Sequence, residues 1–179
     1  EEKKQKIRSR YGVNLNDPML LFVGRIVASK GVDKLVQSMP YLLKKFPKAK
    51  LVIVGTSDMQ LFIQELVNSQ HLQENVKMRL EFISEEERIA HYAACDVCVL
   101  PSLYEPFGIA ALEAMSMQKP VVVGANGTSG MREFVVPDGE AQTGIHIDPN
   151  DPADIAWGIT TVLEDQARAY KMGLNGRSC

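Results

Sequence analysis

The sequence predicts an α/β fold, a Rossmann-like, doubly wound parallel sheet of about six strands, on two observations. Short apolar runs rich in β-branched residues recur at Met19–Val23, Leu51–Val54, Arg79–Ile83, Val97–Leu100, Pro120–Val123 and Gly144–Ile147. Most are too continuous for half-exposed strands and read as strands covered on both faces, as in a parallel sheet. Segments with helical spacing separate these runs, and such alternation under the right-handed crossover rule builds a doubly wound sheet.

The elements follow in order. The charged start Glu1-Glu2-Lys3-Lys4 carries no mark of a signal peptide. After the strand at Met19–Val23, the positions Val32, Leu35, Val36, Met39, Leu42 and Leu43 form one apolar stripe of a helix. Ser84 with Glu87 has the spacing of a capping box for a helix running to Ala94. Cys95 ends that helix and Cys98 belongs to the next strand, so both cysteines are expected to pack rather than react. Phe107 and Gly108 are expected to open a helix; a merely amphipathic one would turn Ile109, Leu112 and Met115 inward and leave Glu113 solvated, and the acids placed before and within it weigh against that reading. Asp151-Pro152-Ala153-Asp154 starts the last helix, with Pro152 at its first position.

Composition narrows the partners. With 179 residues the chain is one large domain or two small ones, long enough to bury a core. A net charge of -2 gives no footprint for nucleic acid or anionic membranes, so an anionic ligand has to be held by particular groups. No apolar run approaches the roughly 20 residues needed to span a bilayer, and the chain reads as cytoplasmic. The three cysteines, with His71, His91 and His146 scattered, lack zinc-ligand spacing, and no metal is expected. Asp96 is expected to be a loop or strand-edge acid rather than a catalytic one, and His91 a helix-face residue rather than a base.

In a doubly wound sheet ligands bind where strands end and loops begin. The first such loop, Gly24-Arg25-Ile26-Val27-Ala28-Ser29-Lys30-Gly31, brackets two cations between glycines. Arg25 offers a planar fork and Lys30 a mobile point charge, a pair suited to a diphosphate, although either alone could be a solvated loop cation. Farther on, Tyr104-Glu105-Pro106-Phe107-Gly108-Ile109-Ala110-Ala111-Leu112-Glu113 puts one acid before a helix and another within it. Amides at that helix start favour a phosphate, and a carboxylate such as Glu113 can accept two hydrogen bonds from vicinal hydroxyls such as those of a ribose. Neither a Walker A motif nor a Gly-x-Gly-x-x-Gly fingerprint is present. Gly127-Thr128-Ser129-Gly130 reads equally as an anion-binding nest or as a turn ahead of a short helix.

Taken together, Gly24-Arg25 with Lys30-Gly31, Glu105 and Glu113 with seven residues between them, and Lys119-Pro120-Val121-Val122 before a glycine-rich loop resemble the group 1 (family four) retaining glycosyltransferases. The resemblance is to their C-terminal, donor-binding domain, one of the two facing Rossmann-like domains of the B-type fold, and covers nearly the whole chain. The Glu105-Pro106-Phe107-Gly108 form is similar to glycogen and starch synthases in particular. It implies metal-independent transfer of a sugar, with retention, from a UDP-, ADP- or GDP-sugar to a carbohydrate acceptor.

By position, Arg25 and Lys30 would bind the diphosphate beside Gly24 and stabilise the leaving group. Glu105 would lie near the anomeric carbon, Glu113 would hold the ribose, and Phe107, Gly108 and Ile109 would offer amides to sugar and phosphate. Base recognition would fall near Ile83. An acceptor-binding N-terminal domain is expected outside residues 1–179, so that this domain binds donor without turnover. Mannosyl- or sucrose-type transfer, or a non-catalytic nucleotide-sugar-binding module, remain alternatives. Two-domain epimerase-like relatives are a weaker one, since they lack this glutamate pair.

Overall fold

The structure, a computed structural model, describes all of residues 1–179. Eight strands are present: β1 (Met19–Val23), β2 (Lys50–Val54), β3 (Val76–Arg79), β4 (Val97–Leu100), β5 (Tyr104–Glu105), β6 (Val121–Gly124), β7 (Thr128–Ser129) and β8 (Gly144–Ile147). The helices are α1 (Glu2–Arg10), α2 (Val32–Leu43), α3 (Gln60–Ser69), α4 (Glu85–Ala94), α5 (Ile109–Ser116), α6 (Pro152–Glu164) and α7 (Gln166–Ser178). Six strands form one parallel sheet in the order β3-β2-β1-β4-β6-β8, and β5 and β7 pair in a separate two-stranded parallel sheet.

The apolar runs explain this order. Leu20, Leu21 and Phe22 of β1 and all four residues of β4 are buried, so these strands can lie only in the middle, covered on both faces. From β1 the chain winds outward through β2 to β3, then returns to add β4, β6 and β8 on the other side. The reversal between β1 and β4 leaves their carboxyl ends splayed by crossovers that leave in opposite directions, the place where such sheets hold ligands.

The caps follow their sequence signals in part. The Ser84 hydroxyl accepts from the Glu87 amide at 3.1 Å, but the Glu87 carboxylate pairs with Arg10 and Arg79 rather than completing the box. Asp151 caps α6 through the Ala153 amide, with Pro152 in the first turn.

Four expectations are corrected. The third strand is Val76–Arg79, not Arg79–Ile83. It pairs Val76 to Arg79 with Leu51 to Val54 as an edge strand, and Lys77 and Arg79 interrupt the apolar run that would have marked it. A further helix, α7, follows α6 after a break at Asp165, whose carboxylate accepts from the Arg168 amide. Gly108, in the left-handed region at φ 99, is the N-cap of α5 rather than its first residue, and Phe107 precedes it. Thr128 and Ser129 form strand β7 rather than a loose turn, and the short helix expected after them is the 3-10 turn Gly130–Glu133. The charged start, for which the sequence offered no element, forms α1, packed against α4. It is anchored by the buried Arg8, which donates to the carbonyls of Ala94 (2.8 Å), Asn14 (2.9 Å) and Asp17 (2.5 Å).

Cys95 and Cys98 settle into packing roles, as expected, and Asp96 and His91 are held by hydrogen bonds near them. The Cys95 and Cys98 thiols are fully buried, and burial pushes Cys95 up to about 12 and Cys98 well above the ordinary thiol value. Asp96 accepts from the Met19 amide at 2.7 Å at the head of β1. His91 is enclosed between the Tyr11 hydroxyl (2.8 Å) and the Glu87 carbonyl (2.7 Å).

Candidate active site

A cleft of about 370 Å³ opens at the carboxyl ends of β1 and β4, the point where the chain reverses. Its lining brings together Gly24, Arg25, Lys30, Glu105, Phe107, Gly108 and Ile109, from two loops more than 70 residues apart in sequence. A larger hollow of about 590 Å³ lies at the other end of β1 and β4, but Asp17 and Asp96 line it with no basic residue. That charge suits no anion.

Main-chain bonds fix the loop after β1. The Gly24 amide donates to Val54, Ile26 forms a parallel bridge with Ser57, and the Leu103 amide donates to Ser29 at 2.8 Å. This loop is thereby tied to those after β2 and β4. Residues Ala28–Lys30 make one 3-10 turn ended by Gly31 in the left-handed region at φ 70. A Cβ at Gly31 would lie 2.1 Å from the Pro101 carbonyl oxygen, so only glycine lets the turn close against the neighbouring loop.

The second wall is built from β5 and α5. Pairing of Tyr104 with Thr128 and of Glu105 with Ser129 fastens the loop after β4 to the loop after β6. Glu105 is therefore presented from a strand rather than from a free loop. At Gly108 a Cβ would lie 2.4 Å from the buried Met131 Cγ, which lets α5 begin deep in the cleft.

The charged groups pair across the two walls. Lys30 Nζ donates to Glu105 Oε2, with the two side chains 26% and 16% exposed. The Phe107 amide approaches Glu105 Oε1 at 3.4 Å. Arg25 is exposed and donates to Asp58 at 2.7 Å, a rim pair that holds it loosely. Phe107 and Ile109 stay more than half exposed at the mouth.

Two expected site residues lie outside this cleft. Ile83 is buried in the loop between β3 and α4 and does not line it. Glu113 sits one turn beyond Ala110 on α5, where its carboxylate accepts from the Tyr92 hydroxyl (2.9 Å, Oε2) and pairs with Arg88 (3.1 Å, Oε1). The expected convergence of Arg25, Lys30, Glu105 and Glu113 therefore holds for the first three, with Glu113 in an adjoining position.

Asp58, Tyr92 and Arg88 were not anticipated as partners. Arg88 and Tyr92 stand one helical turn apart on α4, a spacing visible in the sequence, but their shared target is not. No group of three or more His, Cys, Asp and Glu side chains comes together to hold a metal ion. No helix is long and apolar enough to cross a membrane.

A doubly wound sheet with two cations and a helix N-terminus gathered at its reversal point defines a domain suited to an anionic, phosphate-bearing ligand. Residues 3–178 match the family described as glycosyl transferases group 1, and the chain belongs to that family. An uncharacterised glycosyltransferase of Methanocaldococcus jannaschii is 39% identical over 92% of this chain and 40% of its own length. Glycogen synthase of Mycobacterium tuberculosis is 32% identical over 85% of this chain and 35% of its own length. Among solved structures, sucrose-phosphate synthase from Thermosynechococcus elongatus superposes with a TM-score of 0.82 at 34% identity, over 97% of this chain and 43% of that one. This chain thus spans about 40% of the length of the curated relative it matches at 39% identity.

Proposed function

We propose that residues 1–179 form the donor-binding domain of a retaining glycosyltransferase that passes a hexosyl unit, glucosyl in the first instance, from a nucleoside diphosphate sugar to a carbohydrate acceptor. The observation that carries this is the cleft in which Arg25, Lys30 and Glu105 meet the start of α5. Arg25 and Lys30 would neutralise the diphosphate, and because the charge on the departing nucleoside diphosphate grows in the transition state, fixed cations there lower the barrier without a metal. The amides from Phe107 to Ile109 would add donors to phosphate and sugar oxygens. Glu105, on the same wall, would place a carboxylate beside the anomeric carbon as positive character develops there.

In this assignment Glu113 holds the ribose and the loop ending at Ile83 meets the base. The carbohydrate acceptor would be bound by chain outside residues 1–179. Membership of the family and the likeness to glycogen synthase support glucosyl transfer. The 34% identity to sucrose-phosphate synthase supports a sucrose-type acceptor as the second reading.

Calorimetric titration of this chain with UDP, ADP and GDP tests the donor site, and micromolar binding of one of them is expected. Failure of all three to bind would overturn the proposal. Retention is tested on the full-length enzyme by the anomeric configuration of its product, and glucan against sugar phosphate as acceptor separates the two readings.

A further inference from the structure

Glu113 is held by two side chains of the neighbouring helix, and the manner of the holding is informative. Tyr92 is only 1% exposed, so its hydroxyl must find a partner inside the protein, and it donates to Glu113 Oε2 at 2.9 Å. Burial and the adjacent carboxylate both push the Tyr92 hydroxyl far above its ordinary pKa, so it remains a permanent donor. Arg88, one turn earlier on α4, reaches Oε1 at 3.1 Å from a half-buried position. One contact fixes each oxygen, and together they fix the position and plane of the carboxylate.

A carboxylate offers about four acceptor sites, two on each oxygen. With one taken on each, a second remains on each, the pattern that two adjacent hydroxyls require. The Glu113 side chain is 32% exposed, so these sites can be reached from solvent. As a stability device the arrangement has little to recommend it, because an ion pair this exposed contributes little to folding. Its value lies in orientation.

We propose that Tyr92 and Arg88 are positioning residues that lock the Glu113 carboxylate, one per oxygen, for bidentate recognition of a vicinal diol on the ligand. This rests on Glu113 as the ribose ligand of the donor site. Arg88 and Tyr92 lie on the helix that Ser84 caps immediately after Ile83, so α4 links the segment assigned to the base with the residues that orient the ribose contact. Neither residue touches ligand; both act through Glu113.

The test is calorimetric titration of this chain with UDP, ADP and GDP, each beside its 2′,3′-dideoxy counterpart. Wild type is expected to bind the ribose form of its preferred nucleotide more tightly than the dideoxy form. Tyr92→Phe keeps the ring in the core and removes the donor; it is expected to weaken the ribose form about fivefold and leave the dideoxy form unchanged. Arg88→Met, at a half-buried site, is expected to act in the same direction. Equal losses for both forms of the nucleotide would mark Tyr92 and Arg88 as structural, and unchanged discrimination in both variants would equally overturn the inference. A wild type that ignores the ribose hydroxyls would instead remove Glu113 from the ribose, and the positioning role with it. Discrimination present in wild type and kept in the variants would leave the Glu113 assignment standing and defeat only this step.

Discussion

Lys30 donates to the carboxylate of Glu105 across 75 residues of sequence, and the other oxygen of that carboxylate lies 3.4 Å from the Phe107 amide. Glu105 thereby engages the same ammonium and helix-start amide that are assigned to phosphate. A diphosphate entering the cleft has to compete with this carboxylate for both groups.

Glu105→Gln is accordingly expected to tighten binding of the bare nucleoside diphosphate by roughly twofold to fivefold, the range of a partly exposed ion pair. The same substitution should lower kcat of the full-length enzyme more than it raises KM. Titration and steady-state kinetics read the two effects. Weaker diphosphate binding, or full activity, would contradict the assignment.

Arg25→Ala and Lys30→Ala should each weaken nucleoside diphosphate binding by ~1.5–3 kcal/mol, the scale of a hydrogen bond to a charged group. Their effects on folding should differ. Arg25 has one exposed partner, so its loss should leave the melting temperature unchanged. Lys30→Ala strands Glu105, 16% exposed, without its cation and should lower the melting temperature, with recovery in the double variant Lys30→Ala/Glu105→Gln. Melting curves for wild type, Lys30→Ala, Glu105→Gln and the double variant form the cycle that checks this.

Chelation is expected to leave nucleotide affinity untouched, since the two cations can supply the charge that a metal would bring. Titrations with EDTA and with added magnesium or manganese are the check. A large loss in EDTA, restored by metal, would reverse the view of the diphosphate site.

His91 introduces a pH dependence of stability. Burial lowers its pKa below the ordinary 6.5, and the groups around it are Tyr11, the Glu87 carbonyl and carboxylate, Arg10 and Arg79. The unfolded chain then binds a proton more readily than the folded one, so stability is complete above about pH 6.5 and falls as pH drops below it. Urea midpoints should decline between pH 7 and 5.5, and His91→Gln should flatten that decline whatever its effect at pH 7.

Gly108→Ala combines two penalties, a left-handed φ of 99 and a Cβ 2.4 Å from Met131 Cγ. A stability loss of about 1–3 kcal/mol is expected, with weaker nucleotide binding as the start of α5 shifts. Chemical denaturation beside titration distinguishes this from a neutral change.

Much of the architecture could be read from the chain itself, because buried parallel strands need uninterrupted apolar runs and helix caps need particular side chains. Met19–Val23, Val97–Leu100 and Gly144–Ile147 agree with the structure to the residue. Where that signal was diluted the reading slipped. Lys77 and Arg79 disguise an edge strand, and α1 buries only Ile7 and Arg8, which leaves no apolar stripe to detect. The two-residue strands β5 and β7 are too short for any periodicity. In the site, glycines and cations were recognisable because each answers a local requirement, whereas the pairings of Lys30 with Glu105 and of Glu113 with Arg88 and Tyr92 are products of folding over long separations.

Pairing of β5 with β7 also sets where the cleft can yield. Residues 104–105 and 128–129 are joined by their backbones, so a distortion imposed on one loop is transmitted to the other. Shape adaptation to a ligand would then fall to the exposed side chains at the rim, Arg25, Phe107 and Ile109, rather than to the peptide backbone beneath them. Exchange of rim residues would then reshape the mouth of the cleft while the foundation beneath Glu105 remains the same.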